Sequence, residues 1–302
     1  MSKLIIAGGS GFLGNVLIEY FKDSFSAIIV LTRTTQPDKG IVKYVLWDAK
    51  TLDAWAKEID EADVLINLTG KSVDCRYNEE NKSLILSSRL DSTKILGKAI
   101  IAAKNLPRIW LNSSTATIYR HSLDTQMNET TGEIGDGFSV DVAKAWEKVF
   151  FSFKLKNTRQ VALRTSIVFG KKGGAFVPIK KLVKLGFGGK QGGGDQKVSW
   201  IHQTDFARSI QFIIENKALS GYVNIVSPQP TTNKILMEKL RNAVGMPFGI
   251  PMPTPLLKFG AKLIKTETEL ILKSRNVIPQ KLQESGFDFS FGSLDEAIND
   301  LI

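Results

Sequence analysis

The 302-residue sequence contains one cysteine, Cys75, so an internal disulfide is impossible and we expect a reducing compartment, the cytoplasm. Long apolar runs are also missing. No stretch approaches the roughly 20 apolar residues that a membrane span needs. The apolar run near the N-terminus gives way to glycines too early for a signal peptide. We therefore predict a cytoplasmic protein with no membrane association.

Acidic residues are fewer than basic ones, 30 against 40, which gives a formal net charge of +10. A nucleic-acid binder is one interpretation, but the lysines are scattered and only short clusters such as Lys171–Lys172 and Lys180–Lys181 occur. No DNA- or RNA-binding motif accompanies them. A solvated basic surface, part of which attracts an anionic ligand, is the simpler hypothesis. We predict no nucleic-acid partner; a steep salt dependence of DNA or RNA affinity would be needed to revive that hypothesis.

The first half of the chain alternates short apolar runs with longer helical patterns, which is typical of βαβ units. Several of the runs are apolar throughout, as expected for parallel strands covered on both faces. The predicted strands are Lys3–Ala7, Ala27–Thr32, Lys43–Leu46, Val64–Leu68, Ile109–Ser113 and Gln160–Arg164. The predicted helices are Phe12–Lys22, Leu52–Ile59, Asn81–Lys104 and Val140–Leu155. These elements predict an α/β fold with a Rossmann-type, doubly wound parallel sheet.

The composition changes after Gly170. Residues 171–194 are rich in glycine and lysine, which predicts a mobile loop around one short helix. Residues 222–302 mix short strands, proline turns and helices, which indicates a smaller α/β substrate lobe. We therefore predict a dinucleotide-binding domain over residues 1–170. Residues 171–302 form mainly the substrate lobe, with 198–225 returning to the core.

The strongest motif is "LIIAGGSGFLG", in which a short strand runs directly into glycines at positions 8, 11 and 14. Gly8 permits a tight turn, Gly11 lets the backbone approach a pyrophosphate, and Gly14 lets the new helix pack against the sheet. This context, after a strand and before an amphipathic helix, predicts a dinucleotide site. The predicted contacts of this turn are Gly8, Ser10, Gly11, Phe12, Leu13 and Gly14.

The ends of the following strands indicate which dinucleotide binds. The second strand ends "VLTRTT", so Thr32 and Arg33 stand where an acidic residue would bind the ribose of NAD. Arginine can pair with a 2′-phosphate, so NADP(H) is preferred over NAD(H). Asp48 either accepts a hydrogen bond from the adenine amino group or only forms a turn. The fourth strand ends where backbone passes close to the cofactor, at Leu68, Thr69 and Gly70.

Several further segments resemble one known group of proteins. They are "NLTG", "SSRLDSTKIL", "NSSTATIY", "LRTSIVFG", "SWIHQTDFARSI" and "NVIPQKLQESGFDFSF", which follow the glycine motif in that order. Together they resemble the extended short-chain dehydrogenase/reductase superfamily, and more narrowly an atypical, NAD-dependent (sugar-nucleotide) epimerase-like branch. The likeness runs nearly from end to end of the chain.

The resemblance implies a catalytic set of a serine or threonine after strand five and a tyrosine-x-x-x-lysine pair on the next helix. Carried over, Thr115 takes the hydroxyl position and Lys144 the lysine position, where it also binds the nicotinamide ribose. Ser113 is expected beside the cofactor. The tyrosine position, four residues before Lys144, is Val140. The usual proton donor is therefore absent, although the resemblance implies that this branch commonly lacks it.

Three other side chains are candidates to replace that tyrosine. Tyr119 follows the fifth strand and is the candidate catalytic residue. Tyr77 and His202 are candidates for the substrate side, Tyr77 because it follows the fourth strand and His202 because its segment resembles one near the substrate lobe. For each of the three, a packing role is the competing interpretation.

Two functions remain open. The first is an NADP(H)-binding oxidoreductase or epimerase that acts on a small polar or nucleotide-linked substrate. The second is a catalytically inactive NADP(H)-sensing or scaffold protein that keeps the fold without the chemistry. No metal site is predicted. The long helices Asn81–Lys104 and Val140–Leu155 can pair between subunits, so a homodimer is possible.

Overall fold

A sheet of seven parallel strands forms the centre of the computed structural model, which describes residues 2–263 and 267–302. In chain order the strands of this sheet are β1 (Lys3–Ala7), β2 (Ala27–Thr32), β3 (Val42–Leu46), β4 (Val64–Asn67), β5 (Ile109–Thr115), β6 (Arg159–Thr165) and β10 (Gly221–Ile225). Their spatial order is β10-β6-β5-β4-β1-β2-β3. The connections reverse direction between β1 and β4, so the doubly wound parallel sheet predicted from the sequence is confirmed.

Helices cover both faces of this sheet, and short strands and helices form the remainder of the described chain. The helices are α1 (Phe12–Phe21), α2 (Glu79–Ala102), α3 (Phe138–Ser152), α4 (Phe176–Leu182), α5 (Gln203–Glu215), α6 (Asn233–Ala243), α7 (Thr254–Leu263), α8 (Glu269–Leu272), α9 (Gln280–Glu284) and α10 (Leu294–Leu301). The short strands are β7 (Ile167–Phe169), β8 (Lys197–Val198), β9 (Trp200–His202) and β11 (Thr231–Thr232). Within the described residues, no helix has the length and apolar character to cross a membrane.

Alternate residues of the strands point into two separate cores. Leu4 and Ile6 of β1 pack with residues of α1 and α5 on one face. Ile5 of β1 packs with residues of α2 and α3 on the other, around Trp110 and Phe150. Because both faces are covered, β1, β2 and β4 carry continuous buried apolar runs, as the sequence pattern indicated.

The chain after β6 divides between the sheet and a second core. α5 packs beside α1, and β10 extends the sheet next to β6. A separate apolar cluster joins α4, α6 and α10 around Trp200. β7 and β9 pair in parallel between these parts, and β8 pairs antiparallel with β11. The domain boundary at residue 170 stays a prediction.

Local interactions explain where the elements differ from their predicted bounds. α2 begins at Glu79 rather than residue 81 because the Asn78 side chain accepts a hydrogen bond from the Asn81 N–H. α3 begins at Phe138, directly after Gly137, whose φ of 91° favours glycine. The predicted helix at residues 52–59 is a 3₁₀ helix over Ala54–Ile59, capped by Asp53. Segment 171–194 contains α4 and one further turn of π-helix.

A buried ion pair joins α3 to the sheet. Arg164 of β6 makes two parallel bonds to Glu147 of α3, Nε to Oε1 and Nη2 to Oε2, each 2.9 Å, and both side chains are 6% exposed. Ser114 of β5 donates to the same Glu147 carboxylate. Arg164 Nη1 also donates to the hydroxyl of Tyr119, which in turn donates to Asn224 of β10. The network therefore connects three neighbouring strands with α3.

Removing the positive charge of this pair should be strongly destabilising. R164M leaves the Glu147 carboxylate buried without its partner, and we expect a loss of about 3–5 kcal/mol in the free energy of unfolding. Urea denaturation at pH 7 measures it. R120M is the matched control, because Arg120 pairs with Glu133 on the surface, and its effect should be much smaller. Equal losses in the two variants would contradict a special role for the buried pair.

Candidate functional site

An open cleft runs along the carboxyl ends of the central strands, at the reversal between β1 and β4. It consists of two adjoining cavities of about 520 and 510 Å³. Both cavities are lined by the segment that follows β4, which is Leu68, Thr69, Gly70, Lys71 and Ser72. This is the position at which doubly wound sheets bind ligands.

The glycine-rich turn forms the floor of the first cavity. Gly8 has a φ of 74°, and a Cβ on it would lie 2.9 Å from Thr69 Oγ1. A Cβ on Gly14 would lie 2.1 Å from the Gly9 carbonyl oxygen, so this glycine allows the turn to close on itself. That contact differs from the predicted helix–sheet packing. By contrast, a Cβ on Gly11 would meet no described atom within 4 Å. Gly11 therefore leaves open the space above the N-terminus of α1 where a pyrophosphate would fit.

Phe12, the first residue of α1, lies inside a collar of glycines. A Cβ on Gly170 or Gly173 would lie 2.3 or 2.4 Å from its ring, and one on Gly174 would lie 2.9 Å from it. Phe12 also lines the second cavity together with Leu13. The glycine-rich segment after β7 is thus shaped around a residue of the glycine turn.

The far end of the first cavity contains the residues that follow β2 and β3. Thr32 and Arg33 line it, and Arg33 is exposed and forms no ion pair with any described residue. Asp48 lines it too, but its carboxylate accepts hydrogen bonds from the Thr51 and Lys50 N–H groups and the Thr51 hydroxyl. These bonds lower the pKa of Asp48 to about 2. The turn-forming interpretation of Asp48 therefore describes its observed contacts.

Thr69 has an unsatisfied hydroxyl between the two cavities. Its Oγ1 is buried and forms no hydrogen bond with a described residue, although its backbone N–H donates to Asn67. A buried polar atom without a partner is costly unless a ligand or water satisfies it. Together with the open space at Gly11, this orphan hydroxyl fits a polar ligand that spans both cavities, as a dinucleotide does.

The second cavity is lined by hydroxyl and aromatic side chains. Ser113 and Thr115 of β5 line it, as do Phe138 and Trp146 of α3. The Thr115 Oγ1 accepts a hydrogen bond from the Thr117 N–H, which leaves the hydroxyl proton available to a ligand. The predicted residues Ser113 and Thr115 therefore lie in one cavity with Leu13 of the glycine turn.

Tyr77 also lines the second cavity. Its ring packs edge-on against Phe138 with centroids 5.0 Å apart. Its hydroxyl is buried and makes no hydrogen bond with a described residue; the Ser139 hydroxyl is a close neighbour. Burial raises the pKa of the Tyr77 hydroxyl above its ordinary value. Tyr77 is therefore protonated at neutral pH and can donate to a ligand.

The helix that should carry the tyrosine–lysine pair presents other residues to the cleft. Ser139, Val142 and Trp146 line the second cavity, whereas Lys144 is exposed and lines neither cavity. Val140 is fully buried on another side of α3. The ribose-binding role predicted for Lys144 does not fit this placement, because its side chain lies on the solvent side of α3. The residue at the expected tyrosine position is a core residue.

Two other candidates also lie outside the cleft. Tyr119 is fully buried, and its hydroxyl is occupied by Arg164 and Asn224. His202 is fully buried beside Phe291; its Nδ1 caps α5 by accepting from the Thr204 N–H. Burial lowers the pKa of His202, which keeps the ring neutral. Neither placement fits the roles predicted from the sequence, because both side chains are used in packing and hydrogen bonding.

Several cleft residues were not predicted from the sequence. Trp47 and Lys50 line the first cavity, and Arg89 and Trp146 line the second. Trp47 could have been predicted, because it stands directly before the predicted residue Asp48. Arg89 and Trp146 lie inside long helical patterns that gave no reason to single them out. No group of three or more His, Cys, Asp or Glu side chains in the described chain could hold a metal ion.

Comparisons with known proteins identify the family. Residues 4–225 match the family model described as the NAD dependent epimerase/dehydratase family, and residues 252–301 match a domain of unknown function. An epimerase family protein of Staphylococcus aureus is 31% identical over 305 residues, which covers all of this chain and 99% of the relative. One from Staphylococcus haemolyticus is 31% identical over 303 residues, with the same coverage.

A solved structure with similar architecture is the human epimerase family protein SDR39U1 (isoform 2) with NADPH. Its TM-score against this chain is 0.88 at 28% sequence identity, and the match covers 99% of this chain and 98% of that one. A nucleoside-diphosphate sugar epimerase from Corynebacterium glutamicum has a TM-score of 0.79 at 25% identity, covering 99% of this chain and 58% of the other.

Placing a tyrosine at the expected position should damage the core. V140Y adds a phenol to a fully buried site, and we expect a loss of about 1–3 kcal/mol in the free energy of unfolding. S139Y, one residue away on the cleft side, should cost less because the cavity accommodates the ring. Urea denaturation of the two variants measures the difference. A stable V140Y beside a destabilised S139Y would mean that α3 is rotated from the described position.

Proposed function

The chain belongs to the NAD dependent epimerase/dehydratase family, and on that premise we propose that it binds NADP(H) and acts as an oxidoreductase or epimerase on a small polar or nucleotide-linked substrate. The observation that carries this proposal is the cleft with two cavities. The first has a glycine turn and Arg33, which suit a phosphorylated dinucleotide. The second has hydroxyl groups, among them the Tyr77 hydroxyl, which makes no hydrogen bond with a described residue, and these suit a polar substrate.

The preference for NADP(H) is supported by the end of β2. No carboxylate stands there to bind the two ribose hydroxyls of NAD, whereas the Arg33 guanidinium is exposed in the cavity and unpaired among described residues. Lys50 adds a second positive charge to the same cavity. A 2′-phosphate would supply the negative charge that these groups lack. The structural relative with NADPH is consistent with this preference.

The chemistry of the second cavity would rest on hydroxyl groups. Bound NADP(H) would supply hydride transfer at its nicotinamide ring. Tyr77 keeps its proton at neutral pH and can donate it to a substrate oxygen. Thr115 and Ser113 line the same cavity and can orient that oxygen. Tyr77 is thus the candidate for the proton donor that α3 lacks, and Thr115 keeps the hydroxyl role predicted for it.

A binding protein without catalysis is the second candidate function. Its support is α3, which presents Val142 and Trp146 to the cleft instead of a tyrosine–lysine pair. Such a protein would bind NADP(H) tightly and turn over no substrate. Its affinity for a partner would then depend on whether NADP⁺ or NADPH is bound. Pairing of two subunits through α2 and α3 stays a prediction under either function.

Arg33 should decide the choice of dinucleotide. R33A removes the charge available to a 2′-phosphate, so the Kd for NADPH should rise about tenfold or more, while that for NADH changes little. Fluorescence titration of both dinucleotides measures this. R108A, at an exposed arginine outside the cleft, should leave both affinities unchanged. Equal weakening of NADPH and NADH by R33A would count against the proposed preference.

Tyr77 should be required for turnover. The protein is incubated with NADPH and carbonyl compounds, or with NADP⁺ and sugar nucleotides, and products are measured by mass spectrometry. For any substrate found, Y77F should lower kcat about 100-fold and leave the Kd for NADPH unchanged. Y119F makes the same chemical change in the core and should keep the activity of folded protein. Unchanged turnover in Y77F excludes Tyr77 as proton donor. Tight NADPH binding with no turnover across broad panels favours the binding protein.

A further inference from the structure

Arg89 of α2 is held rigidly at the wall of the second cavity. Its Nη1 donates to the carbonyl oxygens of Lys71, at 3.0 Å, and Ile85, at 2.9 Å. Its guanidinium carbon lies 5.1 Å from the centroid of the Trp146 ring. A Cβ on Gly70 would lie 3.1 Å from that carbon, so the absence of a side chain at Gly70 leaves room for the group. The two hydrogen bonds and the ring contact therefore fix the plane of the guanidinium.

The charge of Arg89 has no counterpart in the described chain. No described carboxylate lies within ion-pair distance of it, and its Nε and Nη2 have no described acceptor. Burial lowers the pKa of Arg89 to about 10, and no neighbouring carboxylate opposes that effect. Arg164 shows the contrast, since Glu147 accepts from both Nε and Nη2 of that side chain. In Arg89 the same edge, formed by Nε and Nη2, has no partner among the described residues.

We propose that Arg89 is an anion-binding residue of the second cavity, and that the substrate carries a carboxylate or phosphate group that pairs with its Nε–Nη2 edge. The planar edge matches the two oxygens of such a group, and the fixed position lowers the entropic cost of binding. An anion held there leaves the other polar groups of a small substrate among Tyr77, Ser113 and Thr115. This inference rests on the proposed function, because it concerns the substrate of the same cleft.

A purely structural role is the competing explanation. Arg89 bonds two carbonyl groups and stacks on Trp146, which stabilises the segment after β4 whether or not an anion binds. The two explanations differ in what a neutral replacement does. R89M keeps the apolar stem as far as the position of Nε and removes the charge. R89K keeps a charge but loses the planar edge.

The test uses the protein saturated with NADP⁺ and three small probes: malonate as the carboxylate, glycerol 3-phosphate as the phosphate, and glycerol as the neutral control. Calorimetric titration and the shift of Tm with probe concentration give the affinities. We expect at least one anion to bind the wild-type protein, whereas glycerol does not. R89M should raise the Kd for that anion about tenfold or more, and R89K should raise it less. R120M, at an exposed arginine outside the cleft, should bind the anion as the wild type does.

Each outcome decides a different point. The probe that binds identifies whether the group is a carboxylate or a phosphate. If neither anion binds, or if folded R89M binds it as well as the wild type, the proposal is overturned. The Kd for NADPH, measured on the same variants, should change by less than about threefold. A large loss of NADPH affinity in R89M would assign Arg89 to the cofactor instead. Failure of the wild type to bind NADPH would reject the proposed function itself. If R89M does not fold, two results still test the proposal. R89K should bind the anion more weakly than the wild type, and the wild type should bind an anion but not glycerol.

Discussion

The buried pair of Arg164 and Glu147 is the interaction on which the arrangement of the cleft depends. A charge removed from water is tolerated only with a well-placed partner, and here two parallel bonds join the two groups. Glu147 also accepts from the Ser114 hydroxyl, and Arg164 also donates to the Tyr119 hydroxyl. Because Glu147 belongs to α3 and Arg164 to β6, the pair fixes how α3 is rotated against the sheet. That rotation decides which side chains of α3 face the ligand and which are buried.

The cleft results from this fixed helix and from the reversal of strand order between β1 and β4. The segment after β4 is shared by both cavities, so a single stretch of backbone contacts whatever occupies either one. Its Thr69 hydroxyl and the neighbouring Arg89 guanidinium lack a complete set of partners among the described residues. Two polar groups that a bound ligand could satisfy therefore lie along the wall of the cleft.

The sequence was sufficient for the parts of the molecule whose cause is local. The alternation of apolar runs and helical patterns predicted the sheet, and the glycine spacing predicted the turn beneath the first cavity. Arg33 was found because it directly follows a strand. The roles of Lys144, Tyr119 and His202 depend on helix rotation and on contacts between residues far apart in sequence. Tyr119 and Asn224 are 105 residues apart, and nothing in either segment indicates that they meet. Arg89 lies in the segment "SSRLDSTKIL", which supported the family resemblance. Only the structure shows that no described carboxylate pairs with it.

The glycine collar around Phe12 has a consequence for how this protein can diverge. Gly170, Gly173 and Gly174 leave the volume of one aromatic ring, and any side chain at these positions would enter it. A side chain introduced at one of the three glycines would clash with the Phe12 ring. Loss of the Phe12 ring alone would leave a void beside the glycine turn. The four positions must therefore change together or not at all. Drift at these sites should be slow among relatives, and a directed-evolution library should randomise them as one unit.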